Sequence, residues 1–186
     1  MTAGTPLLAL VRHGETDWNR ARRIQGRTEV PLNTTGRSQA LAAARLLSSS
    51  TPVAWNSVHA SPLGRAIETA EIIADHLALN SPGIHDGLWE RNFGEAEGLL
   101  VTDSEARWPG LREVPDAERI EDVAQRSADA IRELAHTSPG SVAVAHGAML
   151  RAGLELLTGS DIPRILNGEI WLLRHAGTGY SVTQLK

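Results

Sequence analysis

The sequence predicts an α/β fold, a three-layer α/β/α sandwich around a mostly parallel mixed sheet. Three observations predict it. Short apolar runs of strand length alternate with stretches whose apolar residues recur at helical spacing. Two of the runs, residues 7–11 and 141–145, are apolar or small throughout, as strands covered on both faces of a parallel sheet are. Each run then ends in a polar residue and a glycine, Arg12-His13-Gly14 and His146-Gly147. Open α/β sheets bind ligands beyond the carboxyl ends of their strands, so His13 and His146 are candidates on position alone.

The elements follow in order. After the strand at 7–11, Asn33-Thr34-Thr35-Gly36 supplies N-cap chemistry, and Ala40, Leu41, Ala44 and Leu47 recur on one face of a first crossover helix. Residues 53–59 read as a second, less apolar strand. Ser61-Pro62 reads as the N-cap and first-position proline of a helix with Arg65 in its first turn, running to Leu77 and stopped by Asn80-Ser81-Pro82-Gly83. Residues 83–120 are broken by glycines and prolines and read as an excursion with one short helix, in which a cap or substrate loop occupies about 95–120. Val123, Ala124, Ser127, Ile131 and Leu134 mark a helix, residues 141–145 a strand, 148–157 a helix, and 170–174 and 180–185 two closing strands. No repeat or linker divides the 186 residues, which predicts a single domain over 1–186.

Composition narrows the chemistry. The chain has no cysteine, which excludes a thiolate nucleophile, a disulfide framework and a Cys-ligated metal, and fits a reducing cytoplasm. The apolar run at 6–11 is too short for a signal peptide or a membrane span, so no membrane association is expected. A net charge of -4 gives no general pull toward nucleic acid, and none is expected as a partner. The only lysine is Lys186, so a Walker-type loop is impossible and phosphate must be gripped by arginine forks. Aspartate-nucleophile phosphatases use an Asp-x-Asp pair, which is absent. For phosphoryl transfer, histidine is then the best remaining candidate to form a covalent intermediate.

Among seven histidines, His13 stands out. Arg12 precedes it, and Gly14 leaves room for a phosphate; adjacent guanidinium charge should depress its pKa and keep a ring nitrogen free to attack. Glu90 has rivals in Glu15, Glu95 and Glu97 as a proton donor, and Arg91 reads either as a substrate contact or as a partner of a carboxylate. The five tryptophans read as packing residues, with Trp18 or Trp108 lining the cleft.

The segments Arg12-His13-Gly14-Glu15-Thr16 with Asn19, Gln25-Gly26 with Pro31-Leu32, Ser61-Pro62-Leu63-Gly64-Arg65-Ala66, Leu88-Trp89-Glu90-Arg91-Asn92-Phe93-Gly94 and Val144-Ala145-His146-Gly147 together resemble the successive motifs of the histidine phosphatase (phosphoglycerate mutase-like) superfamily. The resemblance implies that His13 is the phosphorylated nucleophile. Arg12, Arg65 and His146 would be the remaining catalytic cations and donors, with Asn19 and Gly26 also lining the phosphate pocket. Glu90 would be the proton donor to the leaving alcohol, and neither metal nor cofactor would be required. The expected partner is a phosphorylated small molecule; a homodimer stays open, since no feature marks an interface. Mutases of that family carry a lysine after the glycine matching Gly98 and a long insertion with paired arginines. Here Leu99-Leu100-Val101 follows, and 98–120 is too short for the insertion. The resemblance therefore favours hydrolysis, with a cofactor-dependent phosphoglycerate mutase and a non-catalytic phosphate-binding module as alternatives.

Overall fold

The computed structural model describes residues 8–50 and 54–186. A six-stranded sheet has the order β3-β2-β4-β1-β5-β6, formed by β1 (Leu8–Arg12), β2 (Ser57–Ala60), β3 (Gly83–Ile84), β4 (Ser141–Ala145), β5 (Ile170–Ala176) and β6 (Gly179–Leu185). The pairs β1–β4, β2–β4 and β2–β3 are parallel, whereas β1–β5 and β5–β6 are antiparallel. Only β5 runs against the other five strands, giving the mostly parallel mixed sheet the sequence predicts.

The three layers follow from side-chain alternation along β1. Leu8 and Leu10 join one core with Ile131 and Leu134 of α5 (Ile120–Thr137) and Met149, Leu150 and Leu154 of α6 (Gly147–Thr158). Ala9 and Val11 join the other, with Ala43, Ala44 and Leu47 of α2 (Thr34–Ser50) and Ala66, Ala70 and Ile73 of α3 (Gly64–His76). Every residue of β1 and β4 is buried, which is why neither shows a polar alternation.

Several boundaries differ from expectation. Residues 7 and 53 lie outside the described residues. The second strand begins at Ser57, and a two-residue edge strand, β3, follows α3 where only a loop is expected. A four-residue helix, α1 (Asp17–Arg20), is also unanticipated. Its Thr16 and Asn19 form a reciprocal capping box. The short helix of the excursion is α4 (Val101–Arg107), flanked by 3-10 turns at Gly94–Ala96 and Pro109–Leu111. Ile24, Phe93, Ala96 and Val114 make a third small core that fastens this cap to the loop after α1. No described helix is long and apolar enough to cross a membrane.

The turn after β1 is pressed against the start of α2. The Asn33 side-chain oxygen accepts from Gly36 N at 2.9 Å, while its amide donates to Glu15 Oε1 at 2.9 Å, and Glu15 N donates to Gln39 Oε1 at 2.8 Å. Gly14 and Gly36 face each other backbone to backbone: a Cβ on Gly14 would run into the Gly36 carbonyl, and one on Gly36 into the Glu15 carbonyl. Neither neighbour can swing away, as both are main chain. Gly36→Ala is expected to lower stability in urea unfolding by about 1–3 kcal/mol, the range for an overpacked site; an unchanged midpoint would show that the turn is looser than described.

Candidate active site

Two parallel strands ending at one level create the site. The register pairs Val11 with Val144 and Arg12 with Ala145, and His13 N donates to Ala145 O at 3.0 Å. His13 and His146, each one residue past its strand, therefore fall on the same face of the sheet, with ring centroids 5.1 Å apart. Arg12, one residue earlier, points to the opposite face, where its Nη1 donates to Ile165 O at 2.7 Å.

His13 is 2% exposed and its tautomer is fixed by geometry. Nδ1 lies 2.7 Å from the carbonyl of Gly14, which can only accept, so Nδ1 carries the proton and Nε2 keeps its lone pair. Arg65 Nε donates to that Nε2 at 3.3 Å, the longest of its three hydrogen bonds. The other two anchor the guanidinium: Nη1 donates to Thr28 O at 2.8 Å and Nη2 to Gly26 O at 2.7 Å. Two of its five N–H groups have no partner among the described residues, although Arg65 is 1% exposed and borders the cleft.

Burial holds His13 well below the usual histidine range, with the Arg65 and Arg12 charges adding to the effect. Adjacent guanidinium charge, the cause expected from sequence, comes second to desolvation. His146 is depressed likewise, by burial first and then by Arg65. Desolvation also pushes Arg12 down to about 10, and its Nε is buried without a partner among the described residues.

Ser61 departs from the sequence reading. Helix α3 begins at Gly64, with Leu63 in the N-cap position and no side-chain cap. Ser61 is occupied elsewhere, its Oγ lying 2.7 Å from His146 Nε2. When this hydroxyl donates to Nε2, the imidazole proton sits on Nδ1, a buried atom without a partner among the described residues. Sequence offers no signal for this pairing, since Ser61-Pro62 reads equally well as a helix start.

Glu90 is positioned by the N-terminus of α6. Its Oε1 accepts from Met149 N at 3.0 Å and Arg91 N at 2.8 Å, and its Oε2 from Ala148 N at 3.2 Å. Its backbone is tied down too: Arg126 donates to Trp89 O at 2.7 Å and Glu90 O at 3.1 Å, while pairing with Glu118 at 2.6 Å. Arg126 is not singled out by the sequence. Arg91 donates to Glu118 O and Leu111 O, so it pins the cap through carbonyls, which neither sequence reading anticipates.

A cleft of about 380 Å³ brings together Arg12, His13, Asn19, Gly26, Arg65 and Glu90, and is walled by Gly147 and Ala148. His146, expected in the phosphate pocket, is fully buried beside His13 and is not among the residues lining the cleft. Asn19 is oriented by its carbonyl oxygen, which accepts from Thr16 N and from Asn167 Nδ2, both at 3.1 Å. Asn167, unmarked in the sequence, also donates to His13 O at 3.0 Å. Phe93 is the aromatic residue lining the cleft; Trp18 packs at Gly98, and Trp108 lies under Arg107. Gly26 has φ +53, and a Cβ there would collide with the Glu97 carboxylate.

Glu97 lies outside the cleft but organises it. It accepts from Arg27 N at 2.9 Å, Phe93 N at 3.1 Å, Thr28 N at 3.1 Å and Thr28 Oγ1 at 2.6 Å. The loop it fixes presents the two carbonyls that hold Arg65. Of the other rivals to Glu90, Glu15 binds Asn33, and Glu95 makes an exposed pair with Arg107.

The family model described as histidine phosphatase superfamily (branch 1) matches residues 8–170. The chain belongs to this superfamily. A Bacillus subtilis (strain 168) protein of that kind, uncharacterized phosphatase PhoE, is 36% identical over 156 residues, covering 83% of this chain and 78% of its own. An Arabidopsis thaliana metal-independent phosphoserine phosphatase is 35% identical over 178 residues, covering 88% and 74%. The solved structure of a mycobacterial glucosyl-3-phosphoglycerate phosphatase in complex with VO3 superposes with a TM-score of 0.80 at 28% identity, over 95% of this chain and 96% of that one. Relatives named probable phosphoglycerate mutases match as well. Histidine phosphatase membership thus accounts for the fold and for the order of the motifs.

Two outcomes test the site's architecture. Glu97→Gln places an N–H2 against backbone donors and should lower kcat/KM by about 10- to 100-fold through misplacement of Arg65, with an unchanged circular dichroism spectrum; full activity would separate Glu97 from the cleft. His13 and His146 have folded pKa values below the unfolded value of about 6.5, so the unfolded chain takes up protons first. Stability should accordingly fall as pH drops below about 6.5, seen as a lower urea midpoint at pH 5 than at pH 7.5. The drop should shrink in His146→Gln; an equal drop in both proteins would contradict a buried neutral imidazole.

Proposed function

We propose that this chain is a metal-independent phosphomonoesterase that hydrolyses a phosphorylated small molecule through a phosphohistidine at His13. One observation carries the reading: the only lone pair of the His13 ring, on Nε2, borders a cleft in which Arg12 and Arg65 supply positive charge and Glu90 a carboxyl group.

In the first step, the long hydrogen bond from Arg65 Nε to Nε2 gives way to the substrate, Nε2 attacks phosphorus in line while the bond to the leaving oxygen breaks, and Glu90 in its protonated form protonates that oxygen. Arg12, the two uncommitted donors of Arg65, the Asn19 amide and Gly26 line the cleft that would receive the three phosphoryl oxygens, and His146, its buried Nδ1 without a partner among the described residues, stands beside His13 as the remaining donor. Such preorganised charge is the main source of rate in phosphoryl transfer. The Nδ1–H bond to Gly14 O holds the ring through the reaction. In the second step, water gives a proton to Glu90 and attacks phosphorus, the P–N bond breaks, and inorganic phosphate leaves.

Hydrolysis is favoured over transfer to a second hydroxyl because residues 98–120 form a short cap, with one seven-residue helix and one 3-10 turn, and carry no long insertion. Relatives named as phosphatases support the same choice. The domain reading of 1–186 as one unit and a cytoplasmic location, in keeping with the absence of cysteine, belong to this proposal.

Aryl phosphate hydrolysis should persist in excess chelator and vanish in His13→Ala; loss in chelator or survival in the variant would sink the mechanism. Glu90→Gln should slow an alkyl phosphate by about 10²–10⁴-fold and an aryl phosphate with an acidic leaving group far less. Equal losses on the two substrates would remove Glu90 from proton transfer.

A further inference from the structure

The cleft is more cationic than one phosphoryl group requires. Six arginines line it, Arg12, Arg22, Arg23, Arg65, Arg151 and Arg164, against two glutamates, in a chain whose net charge is -4. Both glutamates are engaged by main chain, Glu90 by α6 and Glu105 by Gly110 N at 2.8 Å. Arg12 and Arg65 stand at the reacting histidine. Of the remaining four, Arg23 donates to Gly98 O at 2.7 Å and Arg151 pairs with Glu155 at 3.0 Å. The Arg22 and Arg164 side chains have no hydrogen-bond or ion-pair partner among the described residues.

These two rise from segments that meet. Arg22 follows Asn19 by three residues, Arg164 precedes Asn167 by three, and Asn167 Nδ2 donates to Asn19 Oδ1 at 3.1 Å. Arg164 lies close enough to Arg12 to lower its pKa. Arg22 also occupies an unfavourable backbone position, with φ 56, where glycine would sit without strain. A strained residue with a long cation, unpaired and bordering the cleft, is consistent with retention for a ligand contact rather than for folding.

We propose that Arg22 and Arg164 form a second anion subsite at the rim of the cleft, and that the physiological substrate carries a second acidic group, carboxylate or phosphate, on its leaving side. The inference rests on the phosphatase reading above, since a monoester has only its leaving alcohol on which to carry that group. Guanidinium forks match either anion. Ile24 and Phe93 are apolar members of the same lining, of the kind that suits a short carbon chain.

The test uses three substrates of one chain length: propyl phosphate, 3-(phosphonooxy)propanoate and propane-1,3-diyl bisphosphate. For the wild-type protein, kcat/KM on at least one of the acidic pair should exceed that on propyl phosphate by about tenfold or more. Which member gains identifies the anion. The acidic-to-neutral ratio should fall about tenfold in Arg22→Gly and again in Arg164→Ala, while the thermal midpoint of Arg22→Gly stays at or above that of wild type. A wild-type protein indifferent to the second charge overturns the subsite, as does a ratio that survives both substitutions. Rates that fall equally on all three substrates also overturn it, because they indicate general attraction of anions. Failure to hydrolyse any of the three by a protein that does hydrolyse an aryl phosphate also overturns the subsite, whereas failure on the aryl phosphate as well overturns the phosphatase reading itself.

Discussion

The parallel pairing of β1 with β4 is the constraint on which the site depends. Because the two strands leave the sheet at one level, two residues far apart in the chain arrive as neighbours on one face, while alternation sends Arg12 to the other face, to the Ile165 carbonyl. Nothing in the loops needs to bring the histidines together. What the loops do is narrower: α3 delivers Arg65, the first turn of α6 receives the Glu90 carboxyl, and the segment before β5 supplies Asn167 behind Asn19.

The His13 ring is also held neutral by its surroundings. It is buried with guanidinium groups beside it, so protonation would place a third cation among them with little solvent to relieve it. Arg65 is itself expensive to bury, and it is tolerated because two carbonyls from the Gly26 to Thr28 loop and one imidazole nitrogen answer its N–H groups. That loop is fixed in turn by Glu97. A carboxylate outside the cleft thus orients the cation inside it, through two main-chain links and no direct contact.

Much of this was legible in the sequence because it rests on local pattern. The fully apolar runs of β1 and β4, the helical spacing along α2, α3 and α5, and the positions of His13 and His146 all follow from periodicity and strand ends. Glu90 could be distinguished from Glu97 only through family motifs, since both stand in the same broken segment. The features that escaped are tertiary. Ser61 reads as an N-cap because an N-cap and a partner of a distant imidazole use the same hydroxyl. Arg126, Asn167 and Glu97 act by reaching carbonyls or amides on other segments, and no spacing rule records which main-chain group a side chain will find. The strand at Gly83–Ile84 is two residues long and exposed, too short for alternation to register.

The near absence of lysine has a consequence for how the cleft responds to its surroundings. Guanidinium groups keep their charge across the whole range in which a phosphate ester passes from monoanion to dianion, and even Arg12, brought to about 10, stays charged throughout. The electrostatic field offered to a ligand is therefore constant over that range. It is also out of reach of acetylation and other acylation at lysine, because the only side-chain amine, Lys186, is not among the residues lining the cleft. Any acid sensitivity must enter through imidazole, carboxyl or the substrate itself, which makes this a site tuned by what it binds more than by the medium it works in.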